Sequence, residues 1–239
     1  MIISFNKNYF FSFLFALCVT IPYLNNYELT FLVWSATMVI SLRRTYSKQL
    51  LAQVTLFTLI LVVAFFSSFF HDFHNYNFIR DITYIAKPIL GLLIGYQLCR
   101  NNLKNPIQTV IYTGVLLAVI HLLIVFYGIA FVGFRDIHQI RTFAGYFSDF
   151  EIYAIILILF SEKFGIQFSQ KMKMVFLSVL VISSAFYLSR TNFIQFGILF
   201  LAMKGYFIPD KRNITILFSL VFAGLLCYSA IVYYNPKRN

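Results

Sequence analysis

The sequence predicts an all-α, polytopic membrane protein of about nine transmembrane helices with a cytoplasmic N-terminus. Three observations predict it. Of the 239 residues, 60% are hydrophobic and only 11% are charged, where soluble domains run at about 45–50% and about 25%. The apolar residues gather in long runs divided by short polar connections, and about 20 such residues cross about 30 Å of hydrocarbon. Finally, Lys and Arg fall unequally on the two sides of those runs, the bias that sets orientation in a bilayer. This composition excludes a soluble cytosolic enzyme, a disordered tail and a disulfide scaffold. The formal charge of +11, from 19 Lys and Arg against 8 Asp and Glu, would ordinarily suggest nucleic acid. Here the charges are sparse and scattered, so the expected partner is the bilayer and not nucleic acid.

The runs are Tyr9–Leu24, Tyr27–Leu42, Leu50–Phe70, Thr83–Cys99, Pro106–Phe134, Glu151–Phe164, Met174–Leu188, Asn192–Met203 and Ile214–Tyr234. The first is read as a retained helix, since no small-x-small cleavage site follows Ile21-Pro22-Tyr23-Leu24. The shorter runs suit tilted or broken helices. With the N-terminus inside, twelve of the nineteen positive residues lie on inner segments, six on outer segments, and Lys87 within the fourth run. The inner segments then carry +10 and the outer segments zero, so the basic character is a topology signal. No length remains for a soluble domain: residues 1–239 form a single transmembrane unit. Cys18, Cys99 and Cys227 lie in or at the ends of apolar runs with no redox or metal spacing.

The candidates for chemistry lie at the outer side. Arg80 with Asp81, Arg135 with Asp136, then Arg141, Asp149, Glu151 and Arg190 run against the positive-inside trend. Guanidinium groups fork onto phosphate and carboxylate oxygens, and a substrate rich in pyrophosphate or acidic sugar needs such groups just outside the bilayer. Local Arg–Asp pairing and interfacial anchoring explain the same residues. Phe134, Phe143, Tyr146, Phe147 and Phe150 interleave with these charges, a pattern that suits a carbohydrate and equally an interfacial aromatic belt. Arg190 sits in a short turn between apolar runs, where an unpaired cation is costly. Lys87, just before Pro88, either snorkels outward or faces a polar cavity. Asp149 and Glu151, at the mouth of the sixth run, are candidates for a general base on a sugar hydroxyl. His121, in mid-run, reads as an interhelical hydrogen-bonding residue or a proton relay. His71-Asp72-Phe73-His74 lacks the further ligand a metal needs. No metal or other cofactor is expected.

Three features resemble the O-antigen polymerase and O-antigen ligase superfamily of bacterial inner membranes. One is the Phe-rich polytopic layout. The second is the segment from Arg141 through Gly145, Tyr146 and Asp149 into a helix, although Ser148-Asp149-Phe150 replaces the family's proline-containing turn. The third is Leu188-Ser189-Arg190-Thr191, which is similar to the family's Ser-Arg element. The resemblance implies polymerisation of lipid-linked oligosaccharide repeat units into surface polysaccharide. A growing glycan leaves polyprenyl pyrophosphate at the outer face and joins an acceptor hydroxyl. It implies pyrophosphate and glycan binding by Arg190, Arg141, Arg135, Arg80, Lys87 and Tyr146, and base catalysis by Asp149 or Glu151. It also implies localisation in the inner membrane, with a chain-length regulator and a flippase as companions. Family members continue into a large outer loop beyond the point where this chain stops, so the resemblance allows for an N-terminal part of a longer protein. Two other classes fit the same composition: a transporter or flippase of lipid-linked oligosaccharide, and a non-catalytic membrane subunit.

Overall fold

A computed structural model describes residues 7–24, 26–42, 45–68, 75–145, 148–187 and 189–234. Among the described residues ten α-helices follow one another: α1 (Lys7–Thr20), α2 (Tyr27–Ile40), α3 (Lys48–Ser68), α4 (Asn75–Tyr96), α5 (Pro106–Tyr127), α6 (Ile137–Ala144), α7 (Ser148–Leu159), α8 (Gln170–Tyr187), α9 (Arg190–Lys204) and α10 (Lys211–Tyr234). There is no strand among the described residues. Each of the nine apolar runs carries a helix. Among the described residues three helical stretches are long and apolar enough to cross a membrane: Lys48–Ser67, Phe78–Arg100 and Pro106–Val132.

Local chemistry starts and stops these helices. Asn26 Oδ1 accepts from the Leu29 N–H at 2.9 Å and Glu28 follows in the first turn of α2, satisfying an orphan donor and complementing the helix dipole. Ser47 Oγ accepts from the Leu50 N–H at 3.2 Å to open α3. Pro106 opens α5, where its missing N–H costs nothing. Two helices run on into wider π turns, α4 through Gln97–Asn102 and α5 through Gly128–Val132. The Gln97 carbonyl accepts from Asn102 Nδ2 at 2.9 Å.

The chain forms two units, residues 1–187 and 188–239. In the first, α1 meets α4 and its π turn in an apolar cluster of Phe11, Leu14, Phe15, Cys18, Ile94, Leu98 and Leu103. Trp34 ties α2 to α1 by donating its indole N–H to the Cys18 carbonyl at 2.8 Å. The α5–α7 crossing is the tightest: a Cβ at Gly114 would collide with Ala154 and press on the Phe150 carbonyl. Small residues at such crossings let helix backbones approach, which is how helices associate where lipid removes the hydrophobic drive. Helix α3 packs against α4 and otherwise turns large apolar side chains outward, among them Leu56, Ile60, Val63 and Phe66. A helix exposing such a surface needs an apolar solvent.

In the second unit, Gly205 closes α9 at φ +86°, a left-handed conformation that side chains disfavour. Asn213 Nδ2 then donates to the Ile208 carbonyl at 3.1 Å and the Gly205 carbonyl at 3.3 Å, bracing the turn into α10.

Two segments read as loops are more regular than expected. The stretch between the third and fourth apolar runs is helical from Asn75 onward, and the Arg135–Phe150 connection contains α6. Ile140 and Ala144 of α6 bury against Val125 of α5, so apolar burial holds this short helix.

Candidate functional site

The most developed polar arrangement lies where α5, α7 and α8 meet. Glu151, in the first turns of α7, is fully buried, as is Ser183 of α8; His121 of α5 and Tyr187 of α8 are 1% exposed. Glu151 Oε1 accepts from Ser183 Oγ at 3.0 Å and from Tyr187 Oη at 3.4 Å, and Oε2 accepts from Ser184 Oγ at 3.4 Å. On its other side Ser183 Oγ lies 2.8 Å from His121 Nδ1. Since the serine proton points at Glu151, the bond from histidine is donated by Nδ1–H. The order is imidazole to hydroxyl to carboxylate, each polarising the next. The His121 ring stacks on Tyr187, with centroids 3.9 Å apart and planes 10° from parallel.

The local sequence explains the arrangement. Ser183 and Tyr187 are four residues apart and so share one helix face, while Ser184 flanks that face and reaches the second carboxylate oxygen. These polar residues sit in otherwise apolar runs, so burial of the helices carries them inside, where they need partners. Among the described residues no cation pairs with Glu151; the one ion pair is Arg80–Asp81. Three hydroxyl donors take the place of a counter-ion. This is not a nucleophile triad, in which histidine stands between serine and carboxylate. Its chemical capacity is to hold and pass a proton along a bonded line, and to lock three helices in register.

The predicted site residues fall in several places. Glu151 is in the buried cluster, enclosed on all sides, and does not reach an acceptor hydroxyl in this conformation. Asp149 lies two residues earlier in the first turn of α7, its side chain outside the described residues, as is Tyr146. Arg135 is exposed just before α6, and Arg141 is half-buried in the last turn of α6. The ring of Phe143 stands between Phe134, 5.3 Å away, and Tyr127, 6.4 Å away by centroids. Arg141 thus stands on a packed helix and not in a free loop. Arg80 bonds Asp81 at 3.1 Å through Nε, with both side chains exposed. Lys87 Nζ lies 4.5 Å from the Tyr84 ring centroid on the same helix, a cation–π contact. Arg190 is the first residue of α9 in the second unit, and its side chain lies outside the described residues. Arg135 and Arg141 therefore share one connection, packed on α5 and α8, while Arg80 and Lys87 ride on α4, which packs on α2 and α3.

His71, Asp72 and His74 lie outside the described residues, within which no group of three or more His, Cys, Asp or Glu could hold a metal. Sequence reasoning foresaw a hydrogen bond for His121 but missed Ser183, Ser184 and Tyr187. The signal was the polar stripe Ser183-Ser184-x-x-Tyr187 on an otherwise apolar helix.

No family model, curated protein or solved structure matches the chain. The fold and the site define a class: an all-helical protein with three helices able to cross a membrane and an enclosed carboxylate–hydroxyl–imidazole chain.

Proposed function

We propose that the chain is a nine-span inner-membrane protein, N-terminus inside, that polymerises lipid-linked oligosaccharide units at the outer face. Donor glycan passes from polyprenyl pyrophosphate to an acceptor sugar hydroxyl. The observation that carries this reading is Arg141, held half-buried on the short helix that also carries Phe143, whose ring meets Tyr127 and Phe134. Guanidinium beside stacked rings suits a ligand that is part anion and part sugar. Arg135 on the same connection adds charge for the departing pyrophosphate, and Asp149 is the candidate base; Arg190 is a further candidate on the resemblance alone. Glu151 becomes a positioning residue: by locking the start of α7 onto α8 it sets where the Arg135–Asp149 segment stands.

A second reading, a proton-coupled flippase of the same lipid-linked units, is favoured by the Glu151–Ser183–His121 chain, since ionisable residues within apolar helices commonly mark proton paths. One experiment separates them. Arg141→Ala and Arg190→Ala are expressed in the native host and the surface polysaccharide is run on a gel. Polymerisation predicts collapse of the ladder to a single repeat unit. Accumulation of lipid-linked units on the inner face indicates the flippase. An unchanged ladder in stably expressed variants sinks both roles for these arginines and leaves a non-catalytic subunit.

A further inference from the structure

A groove of about 600 Å³ runs between α1 and α5 on the flank where both helices begin. Helix α1 contributes Tyr9, Ser12, Phe13 and Ala16, and α5 contributes Gln108, Thr109, Tyr112 and Leu116. These are successive positions on one face of each helix, so the groove follows the helix axes. Its composition is graded. Lys104 and Asn105 stand at the mouth, hydroxyl and amide groups follow, and Phe13, Ala16 and Leu116 form the far end. Asn105 Nδ2 donates to Gln108 Oε1 at 3.0 Å, which leaves the Gln108 amide N–H groups as donors. Lys104 is exposed and has no acidic partner, the ion pair among the described residues being Arg80–Asp81. A second, smaller pocket on its other side shares Lys104 and Gln108 and closes on Phe164 and Ile166. The lysine can therefore reach either side of the α5 start.

We infer that this groove binds an anionic glycerophospholipid, with its phosphate on Lys104 and one acyl chain along Phe13, Ala16 and Leu116. Three facts select that occupant. The volume falls in the range of ligand sites. Among the described residues the one charge in the lining is positive and no carboxylate lines the groove to receive a choline, so a net anion is favoured over a zwitterion. A free inorganic anion would leave the apolar end bare, whereas a lipid covers both ends at once. The groove flanks α5, one of the three helices apolar enough to cross a membrane, which puts lipid within reach. The inference is independent of the polymerase reading.

The test uses the full chain in phosphatidylcholine nanodiscs containing phosphatidylglycerol, with native mass spectrometry of the lipids retained on release. Wild type is expected to keep phosphatidylglycerol in preference to phosphatidylcholine. Lys104→Gln should reduce that preference by about fivefold, the weight of one lysine at an anionic lipid surface, and Lys104→Arg should keep it. Ala16→Phe, which fills the apolar end and leaves the charge, should lower retention of the anionic lipid as well. Equal retention of the two lipids by wild type overturns the inference. So does a Lys104→Gln protein with undiminished preference, or binding of inorganic phosphate by a chain that keeps no lipid.

Discussion

Two polar regions of this protein solve opposite problems. The buried cluster of His121, Glu151, Ser183 and Tyr187 gives each group a partner inside the helices and excludes everything else. The α5–α7 connection holds Arg135 exposed, where a ligand can meet it, with Arg141 half-buried on α6. The difference teaches how to assign roles. A carboxylate with three hydroxyl donors is already satisfied, so its removal should be felt in folding. A surface guanidinium contributes little to folding, so its removal should be felt in function.

The largest effect is expected for Glu151→Ala. It strands three hydroxyls and leaves a cavity, and should cost roughly 3 kcal/mol, read as a large fall in the thermal midpoint of the detergent-solubilised protein. Glu151→Gln keeps an acceptor oxygen for Ser183 and should cost only about 1 kcal/mol. If both variants melt like wild type, the cluster is not a structural lock. Next comes Gly114→Leu at the α5–α7 crossing. The added side chain must push Ala154 away, at roughly 1–3 kcal/mol, and the same melt measures it. Ser183→Ala breaks the line between imidazole and carboxylate and should cost about 1–2 kcal/mol. A double-mutant cycle of His121→Ala with Glu151→Gln should show coupling above about 0.5 kcal/mol if Ser183 and Tyr187 link them, and none if the two act alone.

The arginines should give the inverse pattern. Arg135→Ala, at an exposed position, should shorten surface polysaccharide while moving stability by less than about 1 kcal/mol. Arg80→Ala is the smallest case: its exposed pair with Asp81 should contribute less than about 0.5 kcal/mol. A melt that drops for Arg80→Ala as far as for Glu151→Ala would erase the distinction between the two regions.

The helices were legible because runs such as Leu50–Phe70 or Pro106–Phe134 carry their signal in composition alone. Helix α6 was not, since its eight residues mix apolar and polar types in too short a run; Ile140 and Ala144 are buried, and it becomes a helix by packing on α5. The buried cluster was half legible. His121 in mid-run must find a partner, but nothing local says that the partner is a serine 62 positions away. Glu151 illustrates the same limit. It stands two residues from Asp149 and reads as its equal, yet helical geometry turns its side chain into the bundle, and only the placement of α8 reveals what receives it.

Helix α3 carries a consequence of a different kind. Most of its side chains face away from the rest of the chain, and α4 is its main neighbour. In a bilayer its place would be held by α4 and by the free energy of partitioning from water into oil, a quantity indifferent to which of Leu, Ile, Val or Phe supplies it. During biosynthesis such a segment can settle in lipid by itself and wait for α4 to dock. Over generations its letters can be exchanged freely while its oiliness is preserved.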